Sequence, residues 1–131
     1  MSESLIIKMR KYQTYDEPDE LGRLHVGYQS SMSEQEIYES AKGLWVLDPR
    51  RFFTQVTDIY ITPPDSDDVI LHIKPHSLHS VDLFDKTKFY FEGMIMNRSE
   101  MLGQTLSVNT SLNSVKYIDN VYLEQKGVAK S

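Results

Sequence analysis

Ser33-Glu-Gln-Glu-Ile-Tyr-Glu-Ser-Ala-Lys-Gly-Leu-Trp-Val-Leu-Asp-Pro-Arg-Arg51 is the stretch on which the reading of this chain turns. Ser33 stands three residues before Glu36, the spacing of a capping box, in which the serine oxygen accepts from a first-turn amide while the glutamate reaches back to the cap amide. Met32 and Ile37 hold the two positions of a hydrophobic staple. Ile37, Tyr38, Ala41 and Leu44 then recur at helical spacing, with Glu34, Gln35 and Glu39 on the opposite face. Acidic residues in the first turn suit the helix dipole, and Gly43 stands where a left-handed stop would end the helix. The pattern predicts one capped helix over residues 34–42.

Downstream the period changes to two. Val56-Thr-Asp-Ile-Tyr-Ile-Thr62 and Val69-Ile-Leu-His-Ile-Lys74 are rich in β-branched residues, and Pro63-Pro-Asp-Ser-Asp-Asp68 between them is turn chemistry, which predicts a hairpin. In the second run Val69, Leu71 and Ile73 share one face, and Ile70, His72 and Lys74 the other. Lys88–Glu92 reads as a strand ended by Gly93, and Arg98–Leu102 as one helical turn stopped at Gly103. Thr105–Val108 and Val115–Ile118 read as short strands around a polar loop. Upstream, Leu5–Tyr12 reads as a first strand, Asp16–Glu20 as a solvated acidic loop, and Leu24–Tyr28 as a short strand or an extended lead-in to the helix. The expected fold is a small α+β domain over residues 1–123. It has a barrel-like mixed sheet of five to seven strands, the capped helix near 34–42, and a flexible tail at 124–131.

Composition narrows function mainly by exclusion. A chain of 131 residues with 40% hydrophobic content is sized for a single core. No apolar run reaches the roughly 18–20 residues of a membrane span. The N-terminus carries an acid where a signal peptide carries positive charge, so a cytoplasmic protein without a membrane partner is expected. The absence of cysteine removes disulfides, thiolate metal sites and cysteine nucleophiles. A net charge of −5 argues against coating duplex nucleic acid, which depends on neutralising phosphates. It leaves open a local basic site for one nucleotide or a single strand.

Trp45, the only tryptophan, lies close to Arg50 and Arg51, with Lys42 just upstream and Arg23 able to join if it folds nearby. An indole face can stack on a base and a guanidinium can clamp a phosphate. The same tryptophan can instead fill the core, with the arginines in water. Alternation places Phe89 and Phe91 on one face of their strand and Tyr90 on the other, where it can line a pocket or pack across strands. His72, His76 and His79 have ligand-like spacing only on a helix, which Pro75 forbids, so no metal site is expected. The aspartates fall in turns, and no nucleophile elbow, Walker loop or dinucleotide glycine pattern occurs. No catalytic residue and no cofactor are expected.

In order, Tyr38-Glu-Ser-Ala-Lys-Gly-Leu-Trp45, the strand pair, Lys88-Phe-Tyr-Phe-Glu-Gly93, Leu102-Gly-Gln-Thr-Leu106 and Val115-Lys-Tyr-Ile-Asp-Asn120 resemble an accessory domain of phage and bacterial proteins. That domain stands alone or follows a GIY-YIG nuclease domain. The resemblance covers roughly residues 28–121. Members carry arginine where Lys42 stands and lysine where Gln104 stands, and their Gln-Asn-Pro block is reduced here to Leu112-Asn-Ser114. If members contact phosphate through those basic groups, the contact is weaker or lost here. No GIY-YIG motif is present, so nuclease activity does not transfer. The likeness extends to small barrels of the PUA, EVE and ASCH kind. Together with the side-chain chemistry above, the expectation is a non-enzymatic module that recognises a nucleotide, a modified base or single-stranded nucleic acid through Trp45, Arg50, Arg51, Lys42 and Tyr90, and the resemblance implies a phage or mobile-element accessory role. The alternative is an interaction or inhibitor domain that binds a host or partner protein.

Overall fold

The computed structural model describes residues 2–106 and 114–123, and the backbone of 128–129. Its centre is β1 (Glu3–Lys8), whose Leu5, Ile6 and Ile7 are completely buried. A strand covered on both faces needs a continuous apolar run rather than alternation. β1 pairs in parallel with β5 (Val56–Thr62), Leu5 opposite Ile59 and Ile7 opposite Ile61, and antiparallel with β9 (Val115–Asp119). β6 (Leu71–Leu83) and β7 (Lys86–Ile95) extend the sheet as a long hairpin, and β4 (Gly43–Trp45) closes its far edge. The strand order is β4-β7-β6-β5-β1-β9, and the sheet curls into a half-barrel. The expected α+β class and barrel-like mixed sheet are what the chain adopts. Two small ribbons join β2 (Gln13–Thr14) to β3 (His25–Val26), and β8 (Thr105–Leu106) to β10 (Val128–Ala129).

One face of the sheet carries the main core. Leu5, Ile7, Ile59, Ile61, Leu71, Ile73 and Phe91 pack under α1 (Glu34–Ala41) and α2 (Pro49–Gln55). From the helices come Ile37, Tyr38, Ala41 and Phe52, and full burial of Phe52 alone contributes roughly 2–3 kcal/mol. The other face is mixed. Ile6, Tyr60, Val69, Leu106 and Leu123 form a smaller cluster, and Ser4, Asp58 and His72 sit on polar ground beside it. A single turn, α3 (Asn120–Tyr122), follows β9 and is capped by the Asp119 carboxylate.

The capping box is complete, with Glu36 N–H donating to Ser33 Oγ at 3.2 Å and Ser33 N–H to Glu36 Oε1 at 3.1 Å. Gly43 is not the left-handed stop expected of it. It is the first residue of β4, without a positive φ, and a Cβ there would stand 2.5 Å from the Cβ of Tyr90. Close strand approach, not helix termination, requires glycine. The Gly43–Leu44 peptide is cis.

Other boundaries also move. The first strand starts at Glu3 and ends at Lys8, two residues early and four short of the expected span. Gly93 does not end β7, which passes through it opposite Pro75, where the ladder shifts register. Residues 98–102 form turns rather than a helical turn, although Gly103 does take a positive φ of 83°. A second helix, α2, occupies a stretch for which the sequence predicts no element. Asp48 caps it by accepting from Arg51 N–H at 3.2 Å, and Pro49 opens its first turn. The polar loop after β8 lies largely outside the described residues, as do most of the tail and Leu112. Val128–Ala129 of that tail pair with Leu106 and Thr105.

Candidate ligand-binding site

The cavity-bearing corner starts from a turn made by one carboxylate. Asp19 Oδ1 accepts from the amides of Leu21 (3.0 Å) and Arg23 (2.9 Å), and Oδ2 from Arg23 Nε (2.8 Å). Burial works to raise the Asp19 carboxyl, but these donors and the guanidinium charge hold it below the usual carboxylate range. So fixed, Arg23 donates through Nη1 to the carbonyls of Glu39 and Ser40, both at 3.2 Å. Those carbonyls belong to the last turn of α1 and have no helical partner ahead of them. The turn is thereby stitched to the helix end. Gly27, at φ 87°, lets the returning chain cross residues 10–11, where a Cβ would stand 2.3 Å from the Lys11 carbonyl.

Between this turn, the end of β1, β4 and the β6–β7 hairpin lies a cavity of about 650 Å³. That is within the usual range for small-molecule sites. Its apolar side is made by Met9, Leu44, Trp45, Val46, Leu83 and Val115. Its polar side is made by Arg10, Tyr15, Asp19, Glu20, Arg23, Ser40 and Lys88. Trp45 also rests on the main core, and its indole N–H donates to the Ala41 carbonyl at 2.7 Å. The indole is thus held at one edge while it lines the cavity. Arg23 is committed to Asp19 and the helix end, whereas Arg10 and Lys88 make no ion pair among the described residues. The Ser40 hydroxyl is buried and has no hydrogen-bond partner among the described residues, an arrangement that a bound polar group would relieve.

The residues singled out from the sequence fall in different places. Trp45 lines the cavity. Lys42, at the end of α1, pairs with Glu39 at 2.7 Å and is not part of the wall. Arg50 is exposed on α2 and away from the cavity. Arg51 forms a fork with buried Glu3, Nε to Oε1 at 2.7 Å and Nη2 to Oε2 at 2.5 Å, and its guanidinium stands 4.2 Å from the Tyr117 ring centroid. This hydrogen-bonded pairing holds Glu3 below the usual carboxylate range. Tyr90 stacks on His79 with centroids 4.8 Å apart, outside the cavity wall. The structure therefore does not gather Trp45, Arg50 and Arg51 around one space.

Arg10 and Lys88 were not singled out, and no local signal marks them. They come from chain segments almost eighty residues apart. Among the described residues there is no group of three His, Asp or Glu arranged to hold a metal, and no helix is long and apolar enough to cross a membrane. His76 is exposed, and His79 pairs with Glu92 at 2.8 Å. No family model matches this chain, nor does any curated protein or solved structure.

Proposed function

We propose that this chain is a binding module for a small anionic ligand with a planar ring, a nucleotide or a modified base. One observation carries the reading: Trp45 shares a cavity wall with Arg10 and Lys88, two cations with no ion pair among the described residues. A stacked base contributes about 1–3 kcal/mol, and a phosphate held by Arg10 or Lys88 makes charge-assisted hydrogen bonds. The Ser40 hydroxyl adds a buried polar contact. The roles first assigned to Arg50 and Arg51 pass to Arg10 and Lys88. A cavity of this size suits one nucleotide, or the end base of a single strand, better than a long tract. The resemblance of residues 28–121 to a phage and bacterial accessory domain supports the same reading and suggests its setting.

The only tryptophan gives a direct assay. Titration with a panel of nucleoside monophosphates should change Trp45 fluorescence saturably. Lys88→Ala and Arg10→Ala should each weaken binding about tenfold or more, as expected for loss of a charge-assisted contact. If no nucleotide alters the emission up to millimolar concentration, the reading fails. A protein partner is the second reading. It rests on Phe84, wholly exposed at the tip of the β6–β7 hairpin, and Phe53, 65% exposed on α2. Recovery of a stable complex that Phe84→Ser abolishes would support it.

A further inference from the structure

Outside the cavity wall, three side chains from distant parts of the chain form a directed hydrogen-bond relay. His72 on β6 is buried, with its Nε2 2.7 Å from Asp58 Oδ1 and its Nδ1 2.6 Å from Ser99 Oγ. Asp58 is its diagonal neighbour on β5, and Ser99 lies in the turn after β7. That turn is brought back to the strand by Met96 N–H donating to the His72 carbonyl at 2.8 Å.

The partners fix the direction of the protons. Burial works to raise the Asp58 carboxyl, but hydrogen bonds from His72, Lys74 and Thr57 hold it well below the usual range, so it is an ionised acceptor. Lys74 Nζ reaches Asp58 Oδ1 at 2.6 Å, and Thr57 Oγ1 donates to Oδ2 at 2.8 Å. An acceptor at Nε2 assigns the proton of the neutral imidazole to that nitrogen and leaves a lone pair on Nδ1. Ser99 Oγ accepts from Met101 N–H at 3.1 Å, which leaves its own hydrogen to point at Nδ1. Hydroxyl to imidazole to carboxylate is the order in which a serine is activated. The two ring nitrogens have exchanged their commoner roles, but the chemistry requires only a lone pair facing the hydroxyl and an N–H facing the acid.

We propose that Ser99 is a nucleophile for acyl transfer from carboxylic esters, with His72 as general base and Asp58 as the residue that positions it. Ser99 is half-buried, and its chain neighbours Asn97, Arg98 and Glu100 are exposed, so the relay ends in a surface turn. As the Oγ–C bond forms, the serine proton moves to His72 Nδ1 and the carbonyl π pair moves onto oxygen. Collapse breaks the bond to the alcohol, which leaves with that proton, and Ser99 is acylated. Water repeats the sequence at the acyl carbon, releasing the carboxylic acid and restoring Ser99. This site is independent of nucleotide binding at the cavity, since none of the three residues lines that wall.

A fluorophosphonate probe tests the proposal, because Ser99 Oγ would displace fluoride and retain the phosphonyl group. One adduct per chain, mapped to Ser99 by mass spectrometry and absent from Ser99→Ala, is expected. His72→Gln should slow labelling about a hundredfold, the usual worth of a general base. Asp58→Asn should lower the maximal labelling rate while leaving half-saturation by the probe unchanged, which a merely structural role would not produce. No adduct on the wild-type protein, or an adduct on another serine, overturns the proposal whether or not the variants fold. In that case the relay serves only to tie the 96–103 turn to the sheet.

Discussion

The two ends of the segment Leu44–Arg51 have opposite characters. At Trp45 an aromatic side chain lines a cavity beside Arg10 and Lys88, which make no ion pair among the described residues. At Arg51 a guanidinium is forked onto Glu3 and lies over Tyr117. In the sequence these residues look like one stacking-and-clamping pair. In the fold, Asp48 and Pro49 begin a helix between them, and each belongs to a different neighbourhood. Proximity in sequence decided less than which strand each side chain meets: β7 for Trp45, β1 and β9 for Arg51.

The contrast can be broken from the Arg51 side first. Arg51→Ala leaves buried Glu3 without its partner. Loss of one member of a buried pair costs about 3–5 kcal/mol, reduced here because the Arg51 side chain is 41% exposed, so about 2–3 kcal/mol is expected in urea unfolding. The folded fraction should still bind nucleotide as the parent does. Equal loss of ligand affinity would rejoin the two ends into one site.

Acid should act on the same clamp. Both Glu3 and Asp58 titrate lower folded than unfolded, so the native state holds fewer protons in that range and stability falls with pH. Their contribution is complete above the ordinary values of 4.5 and 3.8, and is lost progressively as pH drops below them. A steep fall in melting temperature below about pH 4.5, flattened in Glu3→Gln, is the expected result. A fall centred near pH 6 would point to the histidines instead. The smallest effect belongs to Arg50→Ala. With its side chain in solvent it should change stability by less than about 0.5 kcal/mol and leave binding intact. A larger change in either would restore Arg50 to a functional role.

What could be read in advance was what local chemistry encodes. Ser33 and Glu36 announce their helix because both halves of a capping box lie within four residues. Val56–Thr62 announces its strand through β-branched content, and its bounds match β5. The second helix carries a comparable signal, aspartate before proline at 48–49. The ends of β6 and β7 were not legible, because they depend on each strand pairing past Pro75 and Gly93 with the other. Arg10 and Lys88, and likewise Asp58, His72 and Ser99, meet only through tertiary pairing. No spacing rule along the chain brings such residues together.

The parallel pairing of β1 with β5 has one more consequence, for how such a chain can change. Most of the cavity wall lies in the segment between those two strands, a crossover that leaves β1 after Lys8 and returns at Val56, beside Glu3. For a loop closed in this way, doubling its length costs only about 0.6 kcal/mol of closure entropy. Insertions in the exposed stretch 16–18 are therefore cheap, provided that the turn from Asp19 to Arg23 is kept and Ile37, Tyr38 and Phe52 still cover the sheet. The sheet is the fixed chassis in that architecture, and most of the cavity wall is carried on an exchangeable excursion from it.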